Sequence, residues 1–157
     1  MFRSTGRALA PCALALCAVA CSDESSPLDA GIDAISATCM EATQHSDLTW
    51  IQDKVFQTSC AGFRDCHQGA AVDAAHLSLE RGQTHAQLVN IDTEFVTPFK
   101  RVLPGDPANS YLMIIMGSYP GPLKEDVGTM PYNSPLLCKE KRDAVERWIL
   151  AGAPPEP

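Results

Sequence analysis

The chain has 157 residues, with 19 acidic against 12 basic side chains and a formal net charge of −7 at pH 7. That length encloses one core of ordinary size, and the negative balance repels a phosphate backbone, so nucleic acid is excluded as a partner. No internal repeat, glycine-rich phosphate cradle or nucleophile elbow is present, which removes the common nucleotide-binding and hydrolase signatures.

The N-terminus has the three parts of an export signal: basic Arg3 and Arg7, an apolar run from Ala8 to Ala20, and small residues, Ala18-Val19-Ala20, before Cys21. The run is too short to span a bilayer comfortably. The pattern resembles a bacterial lipoprotein signal, which implies cleavage of residues 1–20 and lipidation of Cys21; a plain cleaved signal is the alternative. Cleavage leaves 10 basic residues against the same 19 acids, about −9. Cys12 and Cys17 leave with the signal. The following residues, 21–38, are rich in Ser, Asp and Ala, carry Pro27 and Gly31, and are expected to form an unpacked tether. The folded domain is expected over 39–157.

Ser46 or Asp47 can cap a helix running to about Thr58, with Leu48, Ile51 and Val55 on one stripe, Phe56 at its border, and Trp50 in the core or at a cofactor edge. The helix delivers the chain into Ser59-Cys60-Ala61-Gly62-Phe63-Arg64-Asp65-Cys66-His67-Gln68-Gly69. Two thiols and an imidazole so close together form the pattern of covalent haem attachment. There, cysteine sulfurs add to the porphyrin vinyl groups and the His after the second Cys binds iron. Five residues separate Cys60 from Cys66, where the usual spacing has two. Three readings stay open: thioethers from both cysteines through a longer loop, a single thioether from Cys66, or a local Cys60 to Cys66 disulfide beside a surface His.

Beyond His67, Leu77-Ser78-Leu79 alternates as a short extended piece does, and Thr84 can cap a brief helix from His85 to about Val89. His76 and His85 follow no cysteine and are expected to be surface or core histidines. Asp106 as N-cap, Pro107 at the first helical position and Gly117 past the end bracket a helix of about ten residues containing Tyr111, Leu112, Ile114 and Ile115. Met113 and Met116 fall in it as core filling. Ser118 to Pro135, with four prolines, must be an irregular loop. A last helix begins between Pro135 and Lys139, carries Ala144, Val145, Trp148 and Ile149 at helical spacing, and stops at Gly152.

In their order, these pieces resemble the small monohaem c-type cytochrome domains of bacterial envelope lipoproteins, including the myxobacterial ones. The matching parts are the Trp-containing helix ending Val55-Phe56-Gln57-Thr58-Ser59-Cys60, the Cys66-His67 pair, and Val102-Leu103-Pro104-Gly105-Asp106-Pro107 with Ser110-Tyr111-Leu112. Met130-Pro131 and Trp148-Ile149 with Ala151-Gly152-Ala153 complete the set, which spans about residues 45 to 153. The resemblance implies an all-α, cytochrome c-like helical domain around one haem, with His67 and Met130 as axial iron ligands and Cys60 and Cys66 at the ring edge. A thioether stabilises reduced iron and, with both axial positions filled, leaves little room for substrate. The expected activity is therefore single-electron transfer rather than catalysis, with redox proteins of the bacterial envelope as partners and the membrane reached through a lipid anchor.

Four cysteines follow Cys21 and permit three pairings; if Cys60 and Cys66 serve haem, Cys39 with Cys138 is the natural disulfide. Lys100 or Arg101 is a candidate to steady a haem propionate. Two other functions remain: a haem-free lipoprotein stapled by Cys60–Cys66 and Cys39–Cys138, acting as a binding or structural module, and a metal site of Cys60, Cys66, His67 and another His.

Overall fold

The helix that leads into the cysteine motif begins at Asp47, whose carboxylate accepts the Trp50 N–H at 2.8 Å, the bond that defines an N-cap. Helix α2 (Leu48–Ile51) passes without a break through a π-helical turn, Gln52–Phe56, into α3 (Gln57–Ser59). Leu48, Ile51, Val55 and Phe56 are all buried, so the stripe expected from the sequence packs inward. The wider turn also buries Gln52, a position that the 3.6-residue period does not mark. The computed structural model describes residues 36–62, 66–94 and 96–157. The signal segment 1–20, Cys21 and nearly all of the 21–38 stretch lie outside the described residues.

Helix α1 (Ala37–Ala42) has no counterpart in the apolar periodicity, and its first two residues belong to the stretch expected to be tether. Ser36 caps it, accepting the Cys39 N–H at 3.2 Å, and the turn is held from outside. Cys39 is joined to Cys138 by a disulfide, and the Arg147 guanidinium donates to the Ala42 and His45 carbonyls at 2.7 and 2.8 Å. A six-residue helix is far too short to persist alone in water; these long-range bonds specify it.

Helix α4 (Thr84–Leu88) starts one residue earlier than expected. Thr84 is not its cap: it is the first helical residue, and its hydroxyl donates back to the Glu80 carbonyl at 3.2 Å. The expected ten-residue helix after Asp106 is two pieces, a 3₁₀ turn (Pro107–Asn109) and α5 (Tyr111–Ile115). Asp106 caps the first as expected. The break falls at Ser110, fully buried and extended, whose hydroxyl bonds the Leu103 N–H and the Asp106 carbonyl at 2.9 and 2.8 Å. A serine that satisfies nearby backbone groups competes with the helical ladder. No regular element lies between Met116 and Cys138, as the prolines require.

Helix α6 (Lys139–Leu150) is the longest element among the described residues and packs against α1, α2 and α5. Ala144, Val145, Trp148 and Ile149 are fully buried. Its end is a Schellman motif: Gly152, at φ +92°, donates to the Ile149 carbonyl, and the Ala153 N–H reaches the Trp148 carbonyl. The Trp148 indole N–H donates to the Pro154 carbonyl at 2.8 Å. With Ile51, Val55, Phe56, Met113 and Met116, these residues form one core. Helices are the only regular elements among the described residues; β pairing is limited to isolated bridges such as Val89 with Val102. The domain is thus all-α, as expected.

Candidate functional site

Gly62 lets the chain leave α3 and enter the cysteine motif. A Cβ there would lie 2.9 Å from the Gln57 carbonyl oxygen, closer than backbone allows, so only glycine fits. The chain then returns, and the His67 N–H donates to the Cys60 carbonyl at 3.2 Å. Cys60, Cys66 and His67 are thereby gathered in one loop, while Phe63, Arg64 and Asp65 lie outside the described residues.

Cys39 and Cys138 form the disulfide, and Cys60 and Cys66 both remain free thiols. The Cys39–Cys138 bond excludes the two pairings that would tie Cys60 and Cys66 to the outer cysteines, and Cys60 and Cys66 are not joined to each other either. Cys60 packs against the core. Burial pushes its thiol up to about 12, the neighbouring Cys66 adds to the rise, and the Lys141 ammonium opposes it. In the folded, haem-free chain Cys60 is therefore a neutral thiol at pH 7 and not a thiolate ligand for a metal ion.

His67 is oriented by a single bond. Its Nδ1 lies 3.0 Å from the Leu77 carbonyl oxygen, and because a carbonyl only accepts, Nδ1 must carry the proton. In the neutral ring the lone pair then sits on Nε2, the arrangement that fixes a histidine for metal ligation. The ring is kept neutral: burial lowers its pKa first and the Arg101 charge lowers it further, against the opposing Leu77 bond.

The other histidines are committed elsewhere. His45 stacks on Trp50 and bonds Asp47 at 3.0 Å, His76 bonds Glu94 at 3.3 Å, and His85 Nε2 lies 3.0 Å from the Ala153 carbonyl. Among the described residues, Cys60, Cys66 and His67 do not converge on a metal-sized point with any of them. The one such cluster among the described residues is Cys39, Cys138 and Glu140, and its sulfurs are spent in the disulfide. Among those residues none completes a four-ligand, zinc-type set with Cys60, Cys66 and His67.

Met130 is half-buried and enters from the long loop, whose backbone is pinned where the Met130 N–H donates to the Ile115 carbonyl at 2.8 Å. It stands outside the set of half-buried side chains packed on the core, whereas Met113 and Met116 are buried within it. Trp50 is a core residue, its indole N–H donating to Glu41 at 3.0 Å. Lys100 pairs with Asp92 at 2.6 Å, and Arg101 donates to the Gln87 and Ala75 carbonyls at 2.9 and 2.7 Å. Both cations thus have partners in the protein. A cavity of about 410 Å³ bounded by Leu48, Thr84, His85 and Glu156 contains none of the expected haem residues.

Residues 77–79 do not form a strand. Ser78 and Leu79 are both buried, so the alternation in the sequence does not become an inside and an outside face. The segment is instead a strap across the His67 loop: Leu77 accepts from the ring, and the Leu79 N–H donates to the His67 carbonyl at 2.9 Å. Nothing in composition or spacing marks these backbone groups, nor Gln52, Gln57 and Lys141 beside them.

The free thiol pair and the neutral, Nε2-bare imidazole suit a covalently held haem. The chain matches no protein-family model, no curated protein and no solved structure.

Proposed function

We propose that this domain is a small monohaem c-type cytochrome module, held at the bacterial envelope through lipidated Cys21, that carries single electrons between redox proteins. When bound, the haem supplies a one-electron ferric/ferrous couple. The chain's own part is to attach and orient it. Cys66, with or without Cys60, would form the covalent link, and His67 through Nε2 and Met130 through its thioether sulfur would hold the iron. The observation that carries this reading is the His67 ring fixed by the Leu77 carbonyl beside two thiols that the Cys39–Cys138 disulfide leaves free.

Expression with a c-type maturation system should give a coloured protein whose mature mass includes one haem. Replacing Cys60 or Cys66 with alanine should show which sulfur attaches it, and Met130→Ala should keep the haem bound while turning the iron high-spin. Cys21→Ser should release the protein from membranes. A colourless matured protein with Cys60 joined to Cys66 would refute the reading and leave the haem-free, disulfide-stapled module.

A further inference from the structure

The π-helical turn places two amides on one target. The Gln57 N–H closes onto the Gln52 carbonyl, five residues back, so residues five apart sit one above the other. In an α-helix, at 3.6 residues per turn, they would be separated by about 140° around the axis. Gln52 and Gln57 accordingly both donate through Nε2 to a single acceptor, the Leu79 carbonyl oxygen, at 2.8 and 3.1 Å. Gln52 is fully buried, and its own Oε1 has no partner among the described residues. Burying an amide with half its capacity unused is costly, so the retained donor bond calls for a role.

That role follows from what the carbonyl belongs to. Leu79 closes the strap over the His67 loop with its N–H on the His67 carbonyl at 2.9 Å, and two residues earlier Leu77 holds the ring at Nδ1. Between them, the Ser78 hydroxyl and the Gly69 N–H both donate to the Glu80 carboxylate, at 3.2 and 3.1 Å, which fastens the far side of the strap. The helix clamps one end of a three-residue segment whose other end aims the imidazole.

We propose that Gln52 and Gln57 are positioning residues for His67: by clamping the Leu79 carbonyl they hold the Leu77 carbonyl in place and so keep His67 in the tautomer that leaves Nε2 bare. The value of that tautomer for iron rests on the function proposed above; the clamp itself is a property of the protein without haem and can be tested there. Methionine preserves the length of the side chain and removes the amide donor. The test uses the full haem-free chain labelled with ¹⁵N-histidine, comparing the parent with Gln52→Met, Gln57→Met and the double variant.

In the parent, His67 should be held as the Nδ1–H tautomer with slow exchange of that proton. In the double variant, exchange should speed up by at least roughly tenfold, since loosening the strap opens the Leu77 bond more often, and the ring should shift towards the Nε2–H form. Gln57→Met, at a half-exposed position, keeps the test available should Gln52→Met fail to fold. Variants that unfold at lower denaturant yet leave the tautomer and exchange of His67 unchanged while folded would overturn the proposal. A parent that never takes up haem would instead remove the functional reading and leave the clamp standing.

Discussion

Removal of the Cys39–Cys138 disulfide gives the most quantitative test of how this fold is held together. The bond closes a loop over a sequence separation of 99 residues, most of the described domain. In the chain-entropy description, a loop of that size restricts the unfolded ensemble by about 4.7 kcal/mol, although measured losses commonly fall below the full value. The disulfide is not the sole hold on α1: Arg147 also reaches the Ala42 and His45 carbonyls, and Glu41 accepts from Trp50. Cys39→Ala/Cys138→Ala should therefore fold, with a loss of about 3–4 kcal/mol that arises in the unfolded chain. Over roughly 120 ordered residues the unfolding entropy is about 0.25 kcal/mol/K, so Tm should drop by about 12–16 °C. Urea unfolding of parent and variant in the same haem state is the assay. The m-value should rise, because the uncrosslinked chain exposes more surface when unfolded. A loss below about 1 kcal/mol with unchanged m would refute the entropic account.

Four further outcomes are expected, at three positions. Asp47→Ala removes the cap of α2 and should cost about 1 kcal/mol, seen as a lower urea midpoint. Burial tends to raise the Asp47 carboxyl, but the bonds from the His45 ring and the Trp50 N–H outweigh it and hold its pKa below 3.8. Its contribution is thus present above the unfolded pKa and is lost as pH falls through the lower folded value; Asp47→Asn should unfold with less dependence on pH below 4 than the parent. In the haem-free folded chain, iodoacetamide should modify Cys60 at pH 8 far more slowly than in 8 M urea, because raising the thiol from 9.0 to about 12 lowers its thiolate fraction by about a thousandfold; equal rates by mass spectrometry would refute its burial. Trp148→Phe should lose about 1–3 kcal/mol, since it leaves the Pro154 carbonyl without the indole N–H and opens space in the core. A near-neutral result in thermal unfolding would show that water replaces that bond.

Much of the helical framework was legible because its signals are local. Asp47, Asp106 and Gly152 act within one turn of where they stand, and the Ala144, Val145, Trp148 and Ile149 stripe buries as its spacing requires. Two expectations failed, each to a side-chain bond. The long helix after Asp106 is cut by the Ser110 hydroxyl, and Thr84 bonds backwards from inside α4. Helix α1 was invisible because its stability comes from a cysteine 99 positions away and from Arg147 on α6. At the candidate site the thiols and imidazole were readable as a motif, but the chemistry of the ring was not. Its proton is placed by a carbonyl ten residues downstream, backed by two glutamines on a helix that precedes it.

The sequence by itself determined the end signals of the main helices, the apolar stripes they bury and the adjacency of Cys60, Cys66 and His67, since each depends on neighbours within a few bonds or one helical turn. The tertiary structure alone decided which cysteines pair, which nitrogen of His67 is left bare and which acceptor Gln52 and Gln57 share. Those outcomes depend on donors and acceptors that only folding brings within 3 Å or so of one another.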